Sequence, residues 1–210
     1  MPMQQIQAAR RNRVTFAPEL TLGEARSRLF ASGNLGADGG YDEAWVKLKL
    51  GRIPLAFPNT EGRRRAVRFH DLHHVLTEYP TTWRGEFEIG AWEVATGVGP
   101  YWEGWLLDLL GFGCGLIVFP RSVYRAFLRG RRSANLYGDV WNESILSRRV
   151  GEVRRRLHLD EDGAAQPTQS DKRAFAAWAA ISLLTYAASC AAVLIPLLAL
   201  LAVLWLWLAR

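Results

Sequence analysis

Three of the four histidines in the chain lie within five positions, at His70, His73 and His74. Asp71 sits among them, and Glu86 follows His74 after eleven intervening residues. Imidazole nitrogens and carboxylate oxygens are donors for zinc, ferrous iron or manganese. No cysteine is near, so a soft thiolate site is excluded at this point in the chain. The chemistry these residues could do is therefore that of a divalent cation held by two imidazoles and two carboxylates.

Such a cation needs donors that converge, and a helix over residues 63–79 makes them converge. Each residue turns an α-helix by about 100°. His70 and His74 then lie side by side, one turn apart, on one face. Asp71 falls about 60° beyond His74, and His73 is displaced to the opposite side. Pro80 lacks an N–H and disfavours helix before it, so it marks the end. The turn-rich residues 80–85 permit a reversal, and Glu86 opens a second helix that returns a carboxylate to the histidine face. Glu88 is an alternative donor if that register slips, and otherwise an acid that is exposed or supports a ligand from behind. Two rival motifs compete. His70 to His74 also spells H-x-x-H-H, as in membrane di-iron enzymes, but those need about eight histidines and this chain has four. An H-E-x-x-H peptidase helix would need glutamate where Asp71 stands, and no third histidine follows closely.

The same residues carry a resemblance to the coenzyme Q (ubiquinone) biosynthesis protein 4 family. Its signature is H-D-x-x-H, eleven residues, then E, and His70-Asp71-Leu72-His73-His74 with Glu86 has that spacing. HDLHHVLTEY followed by GE, FLRGRRSANLYGDVWNE and EVRRRLHL extend the likeness over roughly residues 21–159. The resemblance implies that His70, Asp71, His74 and Glu86 are the metal ligands, carrying catalysis through the metal, and that His73 is not one. It implies zinc first, with iron or manganese as alternatives. It further implies an apolar isoprenoid cavity, a homodimer, and partners among the quinone-biosynthesis enzymes. The activity implied is loss of the ring carboxylate at carbon 1 of a polyprenylated hydroxybenzoate-derived intermediate, coupled to hydroxylation there. A non-catalytic prenyl-lipid scaffold and a membrane-anchored metallohydrolase stay open beside it.

Composition allows this setting. Half of the 210 residues are hydrophobic and the formal net charge is +6. A basic surface suits anionic lipid headgroups. No nucleic-acid-binding fold is recognisable, so nucleic acid is not expected as a partner. The two cysteines, Cys114 and Cys190, lie in apolar runs and read as buried thiols, not a disulfide framework.

The fold class expected is all-α. Residues 1–18 read as a flexible basic leader and residues 19–159 as the metal-binding helical domain. Within it, Thr21 and Glu24 form a capping box for a helix of about ten residues that Gly33-Asn34 closes. Val46, Leu48 and Leu50 alternate like a strand, but no second strand is evident, so a helix or an extended edge is expected. Residues 101–119 are nearly all apolar, with Gly111, Gly113 and Gly115. They read as a core helix whose glycines could let a lipid chain lie against the backbone. Arg125, Arg129, Arg131 and Arg132 mark a basic helix, and Arg154, Arg155 and Arg156 read as surface residues beside the apolar stripe Val150, Val153 and Leu157. Residues 160–173 are a polar linker. Residues 174–209 contain no charged residue. One straight helix of that length spans about 54 Å, against a hydrocarbon core of about 30 Å. The expectation for 174–210 is a transmembrane segment, as a helical hairpin or a helix bent at Pro196. Basic residues at both ends favour a hairpin with the metal domain on the cytoplasmic side of a bacterial inner membrane, in contact with membrane lipids.

Overall fold

A computed structural model describes residues 15–33, 36, 38–50, 53–160 and 166–209. In chain order it comprises α1 (Leu22–Gly33), β1 (Trp45–Leu50), β2 (Ile53–Pro58), α2 (Glu61–Thr77), α3 (Trp83–Thr96), α4 (Trp102–Val118), α5 (Pro120–Gly130), α6 (Glu143–Leu146), α7 (Val150–Arg156) and α8 (Gln169–Leu208). The protein is helical, as expected. Of the expected features, residues 1–14 of the leader, Asn34, residues 161–165 of the linker and Arg210 lie outside the described residues.

The centre of the fold is α3, which packs against both α4 and α5. Its apolar residues follow no single helical face because it is enclosed on several sides. Ile89, Ala91 and Trp92 have no exposed surface and Val94 almost none. Each such large apolar side chain contributes about 1.5–3 kcal/mol by leaving water. Glycines permit the close approach: a Cβ on Gly130 of α5 would crowd Ala95 and the Trp92 carbonyl of α3. In α4, Gly113 meets Ser182 and Tyr186 of α8, and Gly115 meets Phe87 and Val123. These two glycines are therefore spent on helix packing, and neither lines the lipid slot the sequence suggested.

Four further expectations are corrected. Residues 15–18 belong to the fold and not to a leader: Phe16 is buried, and Pro18 packs on Gly151. At 45–50 the extended edge is the alternative that holds and the helix is not, and a second strand does exist: β1 pairs antiparallel with β2 from Trp45↔Pro58 to Leu50↔Ile53. Pro54 and Pro58 disguised the partner, yet both strands of a two-stranded sheet are edges and tolerate proline. The apolar tail is one continuous helix and not a hairpin; Pro196 lies inside it. That helix begins within the expected linker, at a Thr168–Asp171 capping box.

The fourth correction concerns arginine. Arg154, expected at the surface, is largely buried beside the C-terminal end of α2. Its guanidinium donates to the carbonyls of Val75 (2.8 Å) and Leu76 (3.0 Å) and pairs with Glu78 (2.9 Å). Arg129 donates to the Thr77 carbonyl at 2.8 Å. The last carbonyls of a helix have no partner within it. Two forks from distant helices supply those partners here, where the chain turns left-handed at Glu78 (φ 61°). Replacing Arg154 with Ala strands buried carbonyls and the Glu78 carboxylate, so we expect a loss of about 3 kcal/mol of stability. Lysine, lacking the fork, should recover only part of it. Chemical denaturation of the three proteins measures both.

Candidate metal centre

Two helix starts set the geometry. Thr60 caps α2, its side chain accepting from the Arg63 N–H at 3.2 Å. Thr82 caps α3 by accepting from the Gly85 N–H at 3.3 Å. The link between α2 and α3 folds so tightly that a Cβ at Gly85 would collide with the Pro80 carbonyl. This reversal places Glu86, in the first turn of α3, over the histidine face of α2.

The donor atoms of His70, His74 and Glu86 lie within 4.8 Å of one another. The two Nε2 atoms are 3.2 Å apart. Glu86 Oε2 is 3.4 Å from His70 Nε2, and Oε1 is 3.3 Å from His74 Nε2. Two ligands about 2.0–2.1 Å from a tetrahedral zinc are separated by about 3.3–3.4 Å. The Nε2–Nε2 separation is near that value, and each Glu86 oxygen stands at about that distance from a different histidine.

The other ring nitrogens fix the tautomers. His74 Nδ1 is 2.8 Å from the Tyr79 carbonyl, which can only accept, so that nitrogen carries the proton. His70 Nδ1 donates to Glu93 Oε2 at 2.9 Å. In the neutral rings both Nε2 lone pairs therefore point at each other and at a carboxylate. Such an arrangement repels itself unless a cation or a proton sits between. Burial alone would lower the His70 pKa, but the Glu93 and Glu86 carboxylates outweigh it and hold it well above its ordinary value. For Glu86 burial acts upward, and His74 and His70 reverse it to well below the usual range. The groups are arranged for positive charge at their centre.

Asp71 is placed differently from its three companions. It lies outside the triangle, and its Oδ2 accepts from the Tyr41 hydroxyl at 2.5 Å. Leaving α2 about 100° round from His70, its side chain emerges on the flank of the site. Tyr41 reaches it from the loop after α1, edge-on to Phe30 at 5.7 Å. The buried Asn59 ties that loop by donating to the Tyr41 and Glu43 carbonyls. Burial pushes the Asp71 carboxyl up, against the downward pull of His70 and Tyr41. Glu88, the alternative donor, pairs with Arg84 at 3.1 Å and is not in the triangle.

His73 is completely buried and has both nitrogens engaged. The Leu136 N–H donates to its Nε2 at 3.0 Å, and its Nδ1 donates to Glu93 Oε1 at 2.5 Å. Burial keeps its pKa low, in accord with a neutral ring. Glu93 thus joins the two histidines, one oxygen to each. Burial raises its pKa, but His70 and His73 outweigh that and hold it ionised. Sequence reasoning missed Glu93, although a signal was present. It stands seven residues after Glu86, two turns along the same face of α3.

Asp108 of α4 completes the buried set. Together with His70 and Glu93 it offers donor atoms within 4.8 Å, a second group able to hold a cation. Its Oδ2 is buried with no hydrogen-bond partner among the described residues. Burial and the Glu93 charge push this carboxyl well above its ordinary range, which favours its protonated form. A raised carboxyl pKa stabilises the fold at low pH, and that contribution is lost as pH rises through the folded value. Each unit of separation is worth about 1.4 kcal/mol. Asp108→Asn should therefore be the more stable protein on the alkaline side and lose its advantage in acid, as measured by urea midpoints across pH.

Comparison of the chain with protein families, curated proteins and solved structures found no match.

Proposed function

We propose that this protein is a membrane-anchored metalloprotein of ubiquinone biosynthesis, binding one zinc ion and acting on a polyprenylated hydroxybenzoate-derived ring. The observation that carries the metal is the pair of Nε2 atoms 3.2 Å apart, both facing Glu86. Two histidines and one glutamate, with a fourth position left for water or substrate, suit catalytic zinc. Iron or manganese accepts the same donors. The substrate class follows from the signature spacing shared with the coenzyme Q biosynthesis protein 4 family. Within that reading Asp71 is either a fourth ligand or a flanking acid held by Tyr41.

Bound zinc would supply Lewis acidity toward the ring carboxylate and phenolate. His70 and His74 would hold it, their rings fixed by Glu93 and the Tyr79 carbonyl. The Glu86 side chain, 38% exposed, marks the side from which the ring arrives. Zinc has no redox chemistry, so hydroxylation at the carbon losing the carboxylate draws its oxidising power from dioxygen or a partner enzyme. Supporting the membrane setting is α8, which is long and apolar enough to cross a bilayer and is unburied over its most apolar window. We place the metal domain on the cytoplasmic face of the bacterial inner membrane, working as a homodimer with other quinone-biosynthesis enzymes.

The test is purification of the full chain in detergent, followed by metal analysis, lipid mass spectrometry and incubation with a prenylated hydroxybenzoate under air. We expect one zinc per chain, a co-purified prenylated ring and released carbon dioxide. A retained prenylated ring without turnover favours a scaffold. Cleavage of a phospholipid favours a hydrolase. A protein without metal ends the reading.

A further inference from the structure

The first half of α8 lies against the domain, and the part of it that is exposed on every side is short. Trp105 of α4 stacks on Trp178 of α8 at 5.3 Å, and further along Gly113 meets Ser182 and Tyr186. The two helices therefore run in the same direction. The last residue of α8 with partial cover is Ala191, and residues 192–208 are all exposed. Those residues reach about 26 Å, which falls short of the hydrocarbon core of about 30 Å. A helix crossing the bilayer must therefore sink by roughly one further turn, and tilt only adds to the requirement.

What sinks with it is the corner between α4 and α5. Val118 lies five residues beyond Gly113, at the level where cover of α8 ends. Ile117 and Val118 are 63% and 57% exposed, although both are apolar. Behind them Phe119 faces Phe87 at 6.3 Å, and Phe87 faces the exposed Trp83 at 6.0 Å. Arg121 and Arg125 are exposed on α5, just past the corner. Apolar tip, tryptophan and flanking arginines are the order in which a membrane surface presents hydrocarbon, interface and anionic headgroups.

We propose that the α4–α5 corner is a second membrane contact, with Ile117 and Val118 inserted in the bilayer interface beside α8 and Arg121 and Arg125 at headgroup level. This rests on the reading of α8 as an anchor. It also sets the metal centre's distance from the lipid. The Glu86 carbonyl lies level with Gly111, seven residues or about 10 Å before Val118 along α4. A polar ring could reach the triangle while its isoprenoid tail stays in the bilayer.

The test uses the full chain with Cys114→Ser and Cys190→Ser, reconstituted in nanodiscs of phosphatidylcholine and phosphatidylglycerol. Single cysteines from Val118→Cys, Ile117→Cys, Leu198→Cys and Ser144→Cys carry an environment-sensitive fluorophore. Lipids brominated near the carbonyls or deep in the chains report depth. Circular dichroism checks that each protein keeps its helicity. We expect labels at 117 and 118 to be blue-shifted and strongly quenched by the shallow bromines. The label at 198 should be quenched by the deep ones and that at 144 by neither. Unquenched labels at 117 and 118 beside a quenched 198 overturn the corner contact and leave the anchor standing. An unquenched 198 overturns the anchor, and the corner contact with it.

Discussion

Glu93→Ala should cost about 4 kcal/mol of stability and weaken zinc binding by one to two orders of magnitude. The Glu93 side chain is fully buried, and its two oxygens accept from His73 at 2.5 Å and His70 at 2.9 Å. Truncation leaves a buried imidazole N–H on His73 with no acceptor. It also frees the His70 ring to protonate at Nε2, the atom that must stay bare to bind a cation. Stability and affinity therefore fall together for one structural reason. Glu93→Gln separates the two effects. Its amide oxygen still accepts from one histidine, so the fold should survive better than the metal site. Urea denaturation without metal, paired with zinc affinity from chelator competition, reads both. Equal affinity in the wild-type and Ala proteins would show that the ring of His70 is set by something else.

The second large effect is on metal content. His74→Ala should reduce zinc from one per chain to none, because it removes one of the three residues that form the site. Glu86→Gln should reduce it nearly as far by removing the only carboxylate in the triangle. Asp71→Asn decides the remaining question. Retention of zinc assigns the site three protein ligands with Asp71 held by Tyr41, and loss makes Asp71 a fourth ligand. Metal analysis after gel filtration is sufficient. The pH dependence carries a sign. In the metal-free protein His70 binds its proton well above the ordinary histidine value, because Glu93 and Glu86 outweigh burial. A protonated ring has no lone pair to give, so zinc affinity should fall as pH drops through that raised value. The loss should therefore begin at higher pH than for a solvent-exposed histidine, whose pKa is about 6.5.

Several parts of this protein were legible from residue order alone. The adjacency of His70 and His74 follows from the pitch of one helix, and the return of Glu86 follows from a turn bounded by Pro80 and Gly85. The uncharged run at 174–209 announces a helix long and apolar enough to cross a membrane. Each of these depends on neighbours in the chain, where backbone geometry repeats and spacing converts directly into position. The hairpin at 45–58 was half visible, because its second strand carries two prolines that only an edge position excuses.

What tertiary structure alone decided is which distant groups meet the histidine helix. Tyr41 claims Asp71 from a loop thirty residues earlier. Arg154 and Arg129 close the end of α2 from two other helices. Leu136 fixes the tautomer of His73 with a backbone N–H that no side-chain pattern reveals. The first half of α8 lies along α4 through the Trp105–Trp178 stack, a pairing that spacing within the uncharged run does not reveal. These contacts are each the outcome of how whole helix faces pack, a sum over many small burial terms. The local spacing of residues does not contain that sum.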